Sequence, residues 1–387
     1  MKNILLVFGG KSYEHDISVV TAFQIYNKTR LEDVNLELFY VSRENKFFIY
    51  KSEKCNLKDF SKSSNIEKNK KFKEVVFVSG ENNRLFLKTR FGLKEYLTAD
   101  YAIFACHGSL GENGKLVSFF EQFNIYSSVG NFDSLAICMN KFLFKQVMKG
   151  VGVPVVRGFK INKLEFEKNK ENIEFMLRMM KFPVVIKANS GGSSIGVFVS
   201  KTLHDFYKNI NDAFEFDNEV LVEKLVNNAR EFNIAILGTQ ENFEVSEIDE
   251  PIKEHDVLTF ADKYLSSSVK KSSKLDVGIK NSMAGQQRKL PADINEKLRL
   301  KINELAIKIF KSLNLSGVIR IDFLFDEENN KLYVCEVNAI PGSLAFYFFK
   351  GNSILTNRLV MKLIDVAKSN KELSNNFKLE FSTNVLE

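Results

Sequence analysis

Three oxygen-bearing side chains lie close together in the C-terminal part of the chain, in segments that are otherwise apolar. Glu336 and Asn338 are two residues apart in VCEVNAIPG, and Asp322 lies in GVIRIDFLF just upstream. Because successive side chains of a strand alternate between its faces, Glu336 and Asn338 share one face. A hairpin that turns at the polar run DEENN places Asp322 opposite or diagonal to Glu336. We therefore expect two carboxylates to face each other beside an amide.

Facing carboxylates repel each other unless one takes a proton or a cation lies between them. Oxygen ligands of this kind suit Mg²⁺, which takes one or two carboxylates and leaves its other positions to water and phosphate. The hairpin therefore predicts a magnesium site. The alternative is an ordinary solvated face, on which Asp and Glu are common.

A loop of small residues, SGGSSIG at 190–196, is suited to bind an anion. Its backbone N–H groups are accessible to a phosphate, and Lys187 ends the strand before it. The loop is not a P-loop, which requires GxxxxGK[ST], and the similar run GSLGENGK at 108–115 also misses that pattern. No GxGxxG is present, which argues against a Rossmann site. Taken alone, SGGSSIG is equally consistent with a plain flexible hairpin loop.

The segment EVLVEKLVNNAREFNIAIL at 219–237 is typical of a strand, a connector and a second strand. Backbone groups of the connector can pair with the edge of an adenine, while Glu223 and Glu231 accept hydrogen bonds from an amino group and from ribose hydroxyls. The alternative interpretation is a charged surface hairpin.

Two N-terminal loops, GGKSYEHDIS and CHGSLGENG, each follow a predicted strand. Open α/β sheets bind ligands at the carboxyl ends of their strands. We therefore expect Glu14 and His107 to converge at that edge of the sheet, although a single Glu or His in a loop is usually only solvated.

These motifs are distributed over three predicted units. ILLVFGG, a helical stretch near 16–26 and LELFYVS predict the opening of an α/β sheet. The predicted units are an N-terminal α/β domain at 1–135 with an insertion at 51–95, a central lobe at 136–215, and a C-terminal lobe at 216–387 with a mobile loop at about 255–285.

Composition excludes several classes of protein. Of 387 residues, 44% are hydrophobic and 27% charged, as in an ordinary globular protein. The net charge of +7 is spread along the chain, which argues against nucleic-acid binding. The four Cys form no CxxC pair, so reduced thiols in the cytoplasm are expected. Charges follow the first apolar run too early for a signal peptide, and no run has the length of a membrane span.

Taken together, the motifs resemble the D-alanine–D-alanine ligases of the ATP-grasp superfamily, in order and over nearly the whole chain. The matching runs are GGKSYEHDIS, HGSLGENG, MNK, VIKANSGGSSIG, VEKLVNNAREF, DKYL, RIDF and EVNAIPG. The resemblance implies an α/β substrate domain followed by two α+β lobes that clasp ATP. It also implies a cytoplasmic homodimer that joins two D-alanines through an acyl phosphate, for peptidoglycan precursor synthesis. Mg²⁺ would assist, as two ions, with Mn²⁺ as a substitute.

The resemblance carries over to individual residues. The metal ligands would be Asp322, Glu336 and Asn338. The ATP contacts would be Lys141, Lys187, Ser193, Ser194, Glu223, Lys224, Val226, Glu231 and Lys263. The D-alanine contacts would be Glu14, His107, Ser193, Tyr264, Arg320, Gly342, Ser343 and Tyr347. Among these, the catalytic group would be Glu14, Ser193, Tyr264, Arg320 and the amide of Gly342.

One position departs from the family pattern. Many members have a serine nine residues after the amide ligand, where it binds the carboxylate of the second substrate, and this chain has Tyr347 there. Either its phenol or the hydroxyl of Ser343 is expected to substitute. Two competing hypotheses are a ligase that joins D-alanine to a hydroxy acid or D-serine, and a nucleotide-binding module without chemistry. The second requires damage at the metal or oxyanion positions, which are intact.

Overall fold

The computed structural model describes residues 1–52, 55–61, 65–252, 288–349 and 356–376. The strands are β1 (Lys2–Gly9), β2 (Val34–Val41), β3 (Phe47–Tyr50), β4 (Phe72–Val76), β5 (Arg84–Thr89), β6 (Gly92–Thr98), β7 (Tyr101–Phe104), β8 (Tyr126–Ser127), β9 (Gly158–Asn162), β10 (Val184–Ala188), β11 (Val197–Ser200), β12 (Glu219–Lys224), β13 (Arg230–Gly238), β14 (Phe243–Val245), β15 (Glu250–Pro251), β16 (Arg288–Lys289), β17 (Gly317–Asp326) and β18 (Lys331–Asn338). The α-helices are α1 (His15–Lys28), α2 (Ser109–Glu112), α3 (Lys115–Gln122), α4 (Phe132–Met139), α5 (Lys141–Gly150), α6 (Lys163–Phe166), α7 (Lys170–Met180), α8 (Leu203–Ala213), α9 (Glu296–Ser312) and α10 (Thr356–Asn375).

The N-terminal sheet has the order β6-β5-β4-β3-β2-β1-β7-β8. Strand β1 pairs in parallel with β2 and β7, as predicted for an open α/β sheet. Ile4 to Phe8 are fully buried, because apolar side chains from α1, α3 and α10 complete the core around them. A strand covered on both faces has the continuous apolar sequence seen in ILLVF.

The predicted insertion at 51–95 continues this same sheet. Strands β3 to β6 follow one another as an antiparallel extension beyond β2. Of these, β4 and β5 overlap the two strands predicted from VVFVS and RLFLK. The edge strand β6 was not predicted, because most of its side chains are exposed and give little apolar signal.

The described chain after the N-terminal sheet contains two antiparallel sheets of four strands, with the orders β11-β10-β12-β9 and β14-β13-β17-β18. Strands β12 and β13 belong to different sheets, so residues 219–237 do not form the charged surface hairpin considered above. The apolar strand β12 pairs with both β9 and β10 and is mostly buried, so the central sheet includes residues up to Lys224. Phe144 and Met148 of α5 pack with α9 into the core of the C-terminal lobe.

Strands β17 and β18 form the predicted hairpin, and Asp322 lies directly opposite Glu336. A β-bulge follows Asp322 and shifts the register of the rest of the hairpin. The last described helix, α10, packs against the N-terminal sheet. Within the described ranges, no helix is both long and apolar enough to cross a bilayer.

Candidate active site

A cavity of about 930 Å³, which includes open solvent at its mouth, lies between the central and C-terminal sheets. Its walls come from β10 and β12 on one side and from β17 and β18 on the other, so it exists only because the two sheets face each other. The predicted residues that line it are Lys141, Lys187, Ser194, Glu223, Lys224, Val226, Glu231, Asp322 and Glu336.

Asp322 is buried and Glu336 is half-buried, which argues against an ordinary solvated face as their explanation. Asp322 is 4% exposed, and its two oxygens accept hydrogen bonds from Nε and Nη2 of Arg320, each at 2.7 Å. Asn338 Nδ2 donates to Asp322 Oδ2 at 3.1 Å. Burial raises the pKa of Asp322, and the facing Glu336 carboxylate adds to this rise, whereas Arg320 opposes it.

This donor set fits Mg²⁺. Asp322 and Glu336 supply carboxylate oxygens. Asn338 bonds to Asp322 through Nδ2, so its amide oxygen takes no part in that hydrogen bond and can face a metal ion. Lys141 Nζ, 3.3 Å from Glu336 Oε2, offsets part of the negative charge. Among the described residues, no group of three or more His, Cys, Asp and Glu side chains converges. The fit therefore depends on the amide as the third ligand.

Lys141 begins α5, and the structure fixes this end of the helix in two ways. Asn140 caps the helix by accepting a hydrogen bond from the N–H of Leu143, and Asn189 accepts bonds from the N–H groups of Lys141 and Phe142. Lys141 Nζ also donates to the carbonyl of Gly191 in the glycine- and serine-rich loop. One lysine thus contacts both the loop of the central lobe and the acidic hairpin.

Glu223 is more deeply buried than its predicted role in adenine binding suggested. Its Oε1 lies 2.5 Å from Lys145 Nζ and its Oε2 lies 2.7 Å from Lys187 Nζ. With both oxygens engaged by ammonium groups, the acceptors for an adenine amino group are better supplied by the backbone of the connector. Lys145 was not predicted as a site residue, although its position one turn after Lys141 places both lysines on one face of α5.

Glu14 and Ser193 meet where the N-terminal domain contacts the central lobe. The hydroxyl of Ser193 donates to the carboxylate of Glu14, a residue that is only 8% exposed. The predicted convergence with the second loop also occurs, because Ser12 Oγ donates to the carbonyl of His107 and accepts from the N–H of Glu14.

The ring of His107 is held by two other groups. Its Nδ1 is 2.8 Å from the carbonyl of Ile340, which can only accept, so Nδ1 donates there. In the neutral ring, Nε2 then accepts from the hydroxyl of Thr21, 2.8 Å away, and Thr21 Oγ1 in turn accepts from the N–H of Ser343. His107 therefore positions the segment that follows β18.

That segment, Gly342–Phe349, has an unusual backbone. Ser343, Leu344 and Ala345 have φ values of 56°, 47° and 49°, in the left-handed region that these residue types rarely adopt. Ser343 and Tyr347 are both buried, and the guanidinium of Arg288 lies 4.3 Å from the centre of the Tyr347 ring. Lys263, Tyr264 and the whole loop predicted at about 255–285 lie outside the described residues.

Comparisons with known proteins agree with this arrangement. Residues 3–128 match the family model described as "D-ala D-ala ligase N-terminus", and residues 147–364 match "D-ala D-ala ligase C-terminus". A relative named D-alanine–D-alanine ligase in Thermosipho melanesiensis is 35% identical over 95% of this chain and 93% of its own length.

Solved structures share the fold. The D-alanine–D-alanine ligase of Coxiella burnetii has a TM-score of 0.76 at 22% identity, covering 97% of this chain and 96% of that one. The VanG D-Ala:D-Ser ligase of Enterococcus faecalis has a TM-score of 0.75 at 23% identity, covering 95% of this chain and 99% of that one.

Proposed function

The chain belongs to the D-alanine–D-alanine ligase family, and from that premise we propose how its own residues carry out the reaction. The enzyme is an ADP-forming ligase that joins two D-alanines for cell-wall synthesis. The observation that carries the proposal is the cavity between the two sheets, which brings Lys141 and Lys187 close to the facing carboxylates of Asp322 and Glu336.

ATP occupies this cavity in the proposed arrangement. Its adenine lies against the connector from Glu223 to Val226, and its ribose hydroxyls donate to Glu231. Lys141 and Lys187 face the phosphates, and Lys263 is proposed to reach them as well. Backbone N–H groups of the loop at 190–196 add further donors, because its small side chains permit close approach.

Mg²⁺ held by Asp322, Glu336 and Asn338 would supply positive charge to the triphosphate. Lys141 and Arg320 position two of these ligands through their contacts with Glu336 and Asp322. We propose two such ions, as the pair of facing acids suits more than one cation.

The first D-alanine is held through its ammonium group by Glu14. Ser193 fixes the orientation of that carboxylate, and Tyr264 is proposed to assist. The substrate carboxylate then attacks the γ-phosphate of ATP, forming an acyl phosphate and releasing ADP. Positioning of the two reactants accounts for much of the rate in such a transfer.

The amine of the second D-alanine attacks the acyl phosphate, and phosphate leaves as the peptide bond forms. Arg320 and the amide N–H of Gly342 stabilise the oxyanion of the tetrahedral intermediate. Ser343 or Tyr347 binds the carboxylate of this second substrate. Both belong to the segment Gly342–Phe349, which His107 and Thr21 hold in place.

The proposal extends to a homodimer that acts in the cytoplasm, where ATP and the precursor substrates are available. Because Tyr347 replaces the family serine, the identity of the acceptor is the part of the assignment that most needs a direct test. D-Serine and D-lactate are the competing acceptors.

Phosphate release from ATP tests the proposal when measured with D-alanine, with L-alanine and without an amino acid. We expect release to require D-alanine, and mass spectrometry to detect D-alanyl-D-alanine as the product. Equal rates in all three reactions would refute the ligase assignment. In mixtures of D-alanine with D-serine or D-lactate near pH 7, a dominant mixed product would refute the D-alanine acceptor but not the ATP-dependent chemistry.

A further inference from the structure

Three charged side chains form a buried row along one wall of the cavity: Lys145, Glu223 and Lys187. Their side chains are 4%, 3% and 15% exposed, and the two ion pairs that join them span 2.5 Å and 2.7 Å. Glu223 and Lys187 line the cavity, but Lys145 does not. Lys145 thus reaches the lining of the cavity through its ion pair with Glu223.

The row connects the central sheet to a helix that packs against the core of the C-terminal lobe. Lys145 lies on α5, and its neighbours Phe144 and Met148 belong to the core of the C-terminal lobe. Glu223 and Lys187 lie on β12 and β10 of the central sheet, where they are close in the strand register. A residue on a helix that packs against the C-terminal lobe therefore contributes to the electrostatics of a strand pair in the central sheet.

Glu223 is ionised because of its two partners. Burial alone would raise the pKa of this carboxyl, but the ammonium groups of Lys145 and Lys187 outweigh burial and lower the pKa to about 2. With Lys145 present, the row keeps one net positive charge. Without it, the charge of Glu223 would cancel that of Lys187, and the row would present no net charge to a triphosphate.

We propose that Lys145 is a positioning residue for ATP. It holds Glu223 and neutralises its charge, so that Glu223 can fix Lys187 without cancelling the positive charge that Lys187 presents to the phosphates. The inference rests on the proposed function, because it takes ATP as the ligand of the cavity. It predicts that affinity for the nucleotide depends on the net charge of the row. A variant that restores this net charge should therefore regain affinity even though it lacks two of the original side chains.

The test compares the binding of ATP and of adenosine to the full-length protein by titration calorimetry. The variants are Lys145→Met, Lys145→Met with Glu223→Gln, and, as a matched control on the same helix, the exposed Lys149→Met. The net charge of the row is +1 in the parent, 0 in the single variant and +1 in the double variant. Adenosine shares the adenine and ribose contacts of ATP but has no phosphate.

We expect Lys145→Met to raise the Kd of ATP by about tenfold and to change the Kd of adenosine by less than about twofold. The double variant should recover most of the ATP affinity, and Lys149→Met should match the parent. Equal losses for ATP and adenosine would make Lys145 a purely structural residue and overturn the proposal. An unchanged Kd of ATP, or no recovery in the double variant, would also overturn it.

If Lys145→Met does not fold, the double variant decides alone, since it contains no uncompensated buried carboxylate. An ATP affinity close to that of the parent supports the charge argument, and a loss of about tenfold overturns it. A parent protein that binds no ATP would instead refute the proposed function. A parent that binds ATP, with all variants unchanged, would refute only the role of Lys145.

Discussion

The hydroxyl of Ser193 donates a hydrogen bond to the carboxylate of Glu14, 179 positions earlier in the chain. This bond joins the central lobe to the N-terminal domain. Ser193 and Ser194 both have positive φ values, 51° and 59°, which are uncommon for serine. Two strained backbone positions in this loop thus accompany the contact of Ser193 with Glu14. This junction connects the site of the first amino acid to the loop that borders the phosphates.

Gly192→Ala tests this junction. A Cβ at position 192 would lie 2.7 Å from Glu14 Oε2, which is too close, so the carboxylate must move. Because the clash is with the end of a side chain, the fold should persist. We expect the KM for the first D-alanine to rise about tenfold, with little change in the Kd of ATP.

Gly150→Ala is the matched control, because nothing lies within 4 Å of its Cβ position and its φ is not positive. Steady-state rates over a range of D-alanine concentrations distinguish the two variants. A parental KM in Gly192→Ala would show that the position of Glu14 does not limit substrate binding.

The facing acids were predictable because strand alternation and the turn between β17 and β18 leave few possible registers. That β12 and β13 belong to different sheets was not predictable, because a five-residue connector can join two strands of one hairpin as readily as strands of two separate sheets. Lys145 was missed for another reason. A lysine on an amphipathic helix usually faces solvent, and only the packing of α5 against both lobes buries it.

Glu336→Gln should remove most turnover while the fold stays intact, because it takes one negative charge from the proposed metal site without changing volume. We expect the Mg²⁺ concentration for half-maximal activity to rise roughly tenfold or more, equivalent to about 1.4 kcal/mol. Magnesium titrations of phosphate release measure this. Glu328→Gln, in the exposed turn of the same hairpin, is the control and should behave like the parent. Full activity with unchanged magnesium dependence would remove Glu336 from the metal site.

Arg320→Lys should lower kcat strongly and ATP affinity much less. Lysine keeps the positive charge but loses the planar fork that bonds both oxygens of Asp322. Loss of an oxyanion donor lowers kcat by roughly 100-fold to 1000-fold in measured cases. Separate measurements of kcat and of the Kd of ATP test this. A near-normal kcat would exclude Arg320 from the oxyanion role.

The buried row predicts how stability depends on pH. The pKa of Glu223 is lowered from 4.5 to about 2 in the folded state, so folding favours its ionised form. Its contribution to the free energy of unfolding is therefore fully present above pH 4.5 and is lost as the pH falls toward 2. The size of the shift corresponds to a contribution on the order of 3 kcal/mol at neutral pH.

Glu223→Gln removes this contribution and leaves the ammonium groups of Lys145 and Lys187 facing a neutral amide. We expect the variant to be less stable than the parent at pH 7, and the difference to shrink as the pH falls from 4.5 to 3, because the parent loses stability there and the variant has no carboxylate at this position to titrate. Urea unfolding at several pH values measures both. Glu215→Gln, an exposed acid after α8, should show no such difference at any pH. A gap between Glu223→Gln and the parent that stays constant from pH 7 to pH 3 would mean that the two lysines do not hold Glu223 in its ionised form.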